Sequence, residues 1–171
     1  TDPELHIMRT NNKGWDYCGN AQASVDGTCQ IILACDVTDA SNDKQQAAPL
    51  AQATLTNLAQ AGLERPKDEA GITQALPVTL DNGYYSEAAV EALETLGCDP
   101  YIATARQRHH VPEADASETP LTVQKRMAAK VRTPAGKALY ARRKVIVEPV
   151  FGQIKEARGF RRFLLRGLDH I

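Results

Sequence analysis

The sequence predicts a mixed α/β fold in one domain, on three observations. Two strand-like runs flank a turn signal near the start, strand-like and helix-like periods then alternate, and the length suits a single core. With 171 residues, 43% of them hydrophobic and 24% charged, the chain has the composition of a globular domain. That balance also excludes wholesale disorder.

Each element follows from its local pattern. Residues 1–16, TDPELHIMRTNNKGWD, are polar and turn-rich without a period, and read as a connecting segment. Residues 17–39 hold two strand-like runs around Asp26-Gly27 and predict an antiparallel hairpin. The run Ile31 to Cys35 is apolar without alternation, which predicts a strand buried on both faces. From Ser41 the period changes: Ser41 or Asn42 can cap a helix with Leu50, Leu55 and Leu58 on one face and Gly62 near its end. Pro49 must delay that start or kink the helix, because proline removes an amide donor.

A second strand–helix unit begins at residue 74. QALPVTLDNGYYS predicts a short strand ending at Asp81-Asn82-Gly83, and Ser86 then caps a helix with Val90, Leu93 and Leu96 on one face and Gly97 as its stop. DPYIATAR, residues 99–106, is another short strand. Residues 107–120 are polar and contain proline, so a loop or insertion is expected, extending to about 134. A last helical region runs from about Leu121, breaks near Thr133-Pro134 and resumes through about Ala157, with Pro149 inside it.

Charge is distributed unevenly. Residues 1–120 carry 7 Lys and Arg against 18 Asp and Glu, whereas residues 121–171 carry 13 against 3. An acidic body with a basic end suggests a nucleic-acid or membrane partner, or two halves that dock on each other. No apolar run approaches the ~20 residues of a membrane span, and no signal-peptide pattern opens the chain, so a cytoplasmic protein without membrane contact is expected. Cys18, Cys29, Cys35 and Cys98 lack C-x-x-C spacing and read as structural thiols. His109-His110 beside Cys98 fits no closed zinc site, and Trp15 and Tyr84-Tyr85 read as packing aromatics.

Two acids occupy informative places. Asp81 stands at the carboxyl end of a strand in a βα unit, where open α/β sheets bind ligands. Glu148 lies in VIVEPVFGQIKEARGFRRFLLRG among Ile146, Val147, Val150 and Phe151, which suggests a largely buried helix face where an unpaired carboxylate is costly. Two carboxylates in a basic neighbourhood suit a hard divalent cation and a phosphate substrate. Each also has a plain structural reading: Asp-Asn-Gly is a common turn, and Glu148 can pair with Lys144 or Lys155 along its helix.

Three blocks carry a resemblance. LDNGYYSEAAVEAL, YARRKVIVEPVFGQIKEARGFRRFLLRG and YCGNAQASVDGTCQIILACDVTDASNDKQQ resemble, in order, the segments around the second acid, around the glutamate, and the early strand pair with its following helix in DDE transposases of bacterial insertion sequences. The resemblance implies an RNase H-like mixed sheet flanked by helices, over residues 17–171. It implies two Mg2+ (or Mn2+) ions held by three acids, and DNA, both transposon ends and target, as the partner, with a homodimer possible.

By motif, Asp81 matches the second acid and Glu148 the third, each a metal ligand and catalytic. Tyr140, Arg143 and Lys155 match the signature around the glutamate, although Arg143 stands one residue farther from it than in the usual pattern. Arg142 or Lys144 can take that place, and Arg158, Arg161 and Arg162 extend the DNA-backbone face. The first acid has no match: Asp26-Gly27-Thr28 copies the letters at a hairpin turn. The chain therefore reads as a C-terminal part lacking its first strand and first aspartate, which would lie upstream of Thr1, and inactive alone. A non-catalytic nucleic-acid-binding remnant and a related metal-dependent nuclease are the alternative readings.

Overall fold

The computed structural model describes residues 4–10, 14–104, 122–162 and 167–168. In chain order the elements are β1 (His6–Arg9), β2 (Trp15–Cys18), β3 (Asn20–Val25), β4 (Ile32–Thr38), α1 (Ala47–Gln60), β5 (Leu76–Leu80), α2 (Glu87–Thr95), β6 (Cys98–Ile102), α3 (Val123–Arg132) and α4 (Pro134–Gly152). A three-residue 3-10 turn, Asn82–Tyr84, follows β5, and a π-helical stretch, Gln153–Ala157, continues α4. The architecture is mixed α/β. Among the described residues its strands form three two-stranded sheets, with β1–β2 and β3–β4 antiparallel and β5–β6 parallel.

The hairpin forms where the turn signal stands. Asp26 accepts bonds from the amides of Thr28 and Cys29, at 2.9 and 2.5 Å, and its own amide donates to the Ile31 carbonyl at 2.8 Å. These bonds hold the Asp26 carboxyl below its ordinary pKa, with the Cys29 amide the largest cause. Burial of β4 on both faces does not occur: Ala34 is buried, but Ile31, Ile32 and Cys35 are exposed. Helix α1 packs against both strands of the hairpin.

Residues 1–16, read as a connection, instead supply β1 and the first half of β2, with Ile7 opposite Tyr17 and Arg9 opposite Trp15. Strands of four residues, HIMR and WDYC, are too short to set up a readable period, so this ribbon left no clear trace in the sequence pattern. Its large side chains lie outside the core, Trp15 being 71% exposed.

Pro49 delays the helix rather than kinking it. Helix α1 starts at Ala47, which places the proline in the first turn, where its missing amide would have no intrahelical partner. Ser86 caps α2 as expected, its Oγ accepting from the Ala89 amide at 3.1 Å, and Gly97 ends it at φ 75°. This β5–α2–β6 unit carries the core: Val90, Leu93 and Ile102 are buried, and Met127 and Val131 of α3 close over them together with Ala47 of α1. Of the four thiols only Cys98 packs there; Cys29 and Cys35 are exposed.

Residues 105–121, most of the expected polar insertion, lie outside the described residues, as do His109 and His110. The remainder of that stretch is α3, pinned by Arg126, which donates to both oxygens of Glu94 at 2.5 and 2.9 Å. Lys130 pairs with Asp99 and sits 4.1 Å from the Tyr101 ring centroid. The break at Thr133-Pro134 stands where the sequence put it. Thr133 caps α4, its Oγ1 accepting from the Gly136 amide at 3.0 Å, with Pro134 in the first turn.

Candidate active site

Asp81 ends β5 and starts the 3-10 turn. Its Oδ1 accepts from the Asn82 amide at 2.8 Å, while the Asn82 side chain donates to the Ala103 carbonyl at 2.8 Å. The second bond ties the carboxyl ends of β5 and β6 together, so the turn that presents Asp81 is braced by both strands. Asp81 is 60% exposed at the side chain.

Glu148 stands on α4, which packs against β5 and β6. Asp81 and Glu148 line one cleft of about 1330 Å³, together with Arg142, Arg143, Lys155 and Tyr84. The expectation of a largely buried face around Glu148 is corrected. Val150 is buried and Ile146, Val147 and Phe151 are half-buried, but Glu148 is exposed and Val145 is 65% exposed. One turn of helix spans both the packed and the solvent side, so apolar neighbours in sequence need not share its face.

The basic residues divide by what they touch. Arg143 is 17% exposed, 3.4 Å from Asp81 through Nη2, and its guanidinium lies 5.6 Å from the Tyr140 ring centroid. Tyr140 packs against the core cluster, and burial raises its pKa, with Arg143 opposing. Arg142 donates to the Gly27 carbonyl at 3.1 Å across to the hairpin turn. Lys155 falls in the π-helical stretch, 5.5 Å from the Phe151 ring centroid, on the cleft wall. Arg158 lines a smaller hollow with Cys29, Ile32 and Phe160, Arg161 pairs with Glu156, and Arg162 is exposed.

Sequence reasoning missed Asp43. It accepts from Asn20 Nδ2 at 2.7 Å and from Gln22 Nε2 at 2.8 Å, and buried Gln22 in turn accepts from the Tyr84 hydroxyl through Oε1. This chain of bonds locks the hairpin to the turn after Asp81. Asp43 follows β4 in a polar SND run that reads as a helix cap, and nothing local announces partners more than twenty residues back in the chain. Tyr84 feels the enclosure: burial first, then Asp43 and Asp81, push its pKa up to about 12.

A raised tyrosine pKa means the folded state keeps its proton longer than the unfolded chain. Stability should therefore be intact below about pH 10 and fall as pH rises through about 12. Urea unfolding across that window should show the decline, and Tyr84→Phe should make it shallower, leaving the smaller contribution of Tyr140. An identical decline in Tyr84→Phe would remove Tyr84 as its source.

Carboxylate oxygens at Asp81 and Glu148 suit a hard divalent cation, and Asp81 is open enough to receive one. In number the donors fall short of the implied triad: among the described residues no three His, Cys, Asp or Glu side chains gather to hold a metal. No helix among them is long and apolar enough to cross a membrane.

Comparison with known families bears on this geometry. Residues 99–171, from β6 through α3 and α4 to the end of the chain, match the family model described as Transposase DDE domain. The match supports a DDE transposase over that part of the chain. No curated protein and no solved structure matches the chain.

Proposed function

We propose that this chain is the C-terminal part of an RNase H-like catalytic domain of an insertion-sequence DDE transposase, whose complete form cleaves and joins DNA. The observation that carries this reading is the shared cleft of Asp81 and Glu148, walled by Arg142, Arg143 and Lys155, in a chain whose final part matches the transposase domain.

The edges of two strands support the missing-strand part of the reading. Every residue of β3 and every residue of β5 borders the cleft, whereas a sheet face would offer only alternate residues. Each strand has one hydrogen-bonded neighbour among the described residues. A further strand carrying the first aspartate would fit along those edges, beside Asp81.

In this reading Asp81 and Glu148 hold the divalent cations, Mg2+ or Mn2+. When bound, these activate water and then a 3′-hydroxyl for attack on DNA phosphodiesters. Asp81 is aimed by the Asn82 amide and by the bracing of its turn. Lys155, Arg142, Arg143, Arg158, Arg161 and Arg162 contact phosphates, and Tyr140 positions Arg143 through its ring. The protein works on transposon ends and target DNA.

Strand-transfer assays on element ends with the complete protein test this. Asp81→Asn and Glu148→Gln should each lower joining by about 10³-fold or more, since a catalytic cation supplies several kcal/mol of transition-state stabilisation. Activity within tenfold of the parent in either variant would overturn the assignment. Cleavage without joining would identify a nuclease, and DNA binding without cleavage a non-catalytic remnant.

A further inference from the structure

Arg143 does not stand free in the cleft. Its Nη2 reaches Asp81 Oδ1 at 3.4 Å, its guanidinium lies over the Tyr140 ring, and only 17% of its side chain is exposed. Yet the pairing is incompletely satisfied: Arg143 Nε is buried without a hydrogen-bond partner among the described residues. A buried N–H left unpaired costs free energy, so this ion pair is not a fully satisfied structural brace.

The carboxylate, by contrast, has a second source of orientation. Asp81 Oδ1 also accepts the Asn82 amide at 2.8 Å, and that bond comes from the turn itself. Removing Arg143 therefore takes a charge away from Asp81 but leaves the group aimed. A guanidinium and a divalent cation cannot share this oxygen without repelling each other.

We propose that Arg143 is a resident counter-cation of Asp81: it holds this carboxylate while no divalent cation is bound, and must let go for one to bind. The inference rests on the reading of Asp81 as a cation ligand and adds an order of events to it. Cation loading frees Arg143, and the freed guanidinium then turns to a DNA phosphate, so the site's two kinds of partner are coupled through one side chain. Arg143 is a positioning residue in this scheme, with its ion pair as the competitor.

The sign of one substitution separates this from a structural role. Mn2+ binding to the 171-residue chain is measured by the loss of the free-ion electron paramagnetic resonance signal, with folding checked by circular dichroism. Arg143→Gln removes the competing charge and should tighten Mn2+ binding about three- to tenfold, the scale of a partly exposed ion pair. Arg143→Lys restores the charge and should return affinity toward the parent value. A purely structural arginine predicts the opposite, weaker binding in Arg143→Gln.

Asp81→Asn is the control that keeps the two ideas apart. If it leaves Mn2+ affinity unchanged, the cation-ligand reading falls and the counter-cation with it. If it weakens binding while Arg143→Gln binds no tighter than the parent, the counter-cation proposal alone is overturned. A second measurement needs no variant: titrating the parent with Mg2+ should shift the Arg143 Nε–Hε nuclear magnetic resonance signal with the same midpoint as cation binding. A signal that stays fixed through saturation would equally overturn the exchange.

Discussion

Gly136→Ala should destabilise the protein by about 3 kcal/mol, the combined scale of overpacking and a disturbed helix cap. Gly136 is buried at the first turn of α4, and a methyl group added there would press into the Lys130 carbonyl, with Thr133 Oγ1 only 2.9 Å away. Both neighbours are fixed. The Lys130 carbonyl accepts the Thr133 hydroxyl at 2.8 Å, and that hydroxyl oxygen caps α4. The corner between α3 and α4 would have to open, and α4 carries Tyr140, Arg143 and Glu148. Equilibrium urea unfolding measures the effect. Gly152→Ala is the matched comparison, because a methyl there meets nothing within 4 Å and alanine favours helix over glycine by up to ~1 kcal/mol. Equal stabilities for Gly136→Ala and the parent would mean that the corner is not packed as described.

DNA affinity should fall about 10³-fold between 50 and 200 mM salt if the six proposed cations each neutralise one phosphate, since the slope of log affinity on log salt is about −0.9 per contact. The six are Arg142, Arg143, Lys155, Arg158, Arg161 and Arg162. Fluorescence anisotropy with a duplex oligonucleotide over that salt range gives the slope. Replacing Lys155 by Ala should reduce its magnitude by about 0.9. Arg161 provides an internal contrast, because it already pairs with Glu156 and must give up that partner to serve a phosphate. A flat salt response would remove the phosphate-contact assignment for the whole basic end.

Much of the local structure was legible because its cause is local. The Asp26 turn, the Ser86 cap, the Gly97 stop and the break at Thr133-Pro134 each depend on one or two residues whose conformational preference holds in any context. Pro49 needed one more fact: the sequence allowed a delay or a kink, and the start of α1 at Ala47 decided for the delay. Strand content was harder. His6–Arg9 and Trp15–Cys18 pair as strands of four residues, too short to show a readable period, and the apolar run of β4 looked buried because a sequence cannot say which sheet faces find cover.

Chemistry divided along the same line. Sequence by itself determined which residues could act: two carboxylates, a basic C-terminal end and the motif order that resembles DDE transposases. Only the tertiary structure decided what each one touches. It brought Asp81 and Glu148, 67 positions apart in the chain, to one cleft, left Glu148 exposed, set Arg143 against Asp81, and joined Asp43 to Tyr84 through Gln22. The reason is physical: caps and turns are set by bonds a few residues long, whereas a site is set by how β5, α4 and the hairpin pack, and packing partners are not written beside one another in the chain.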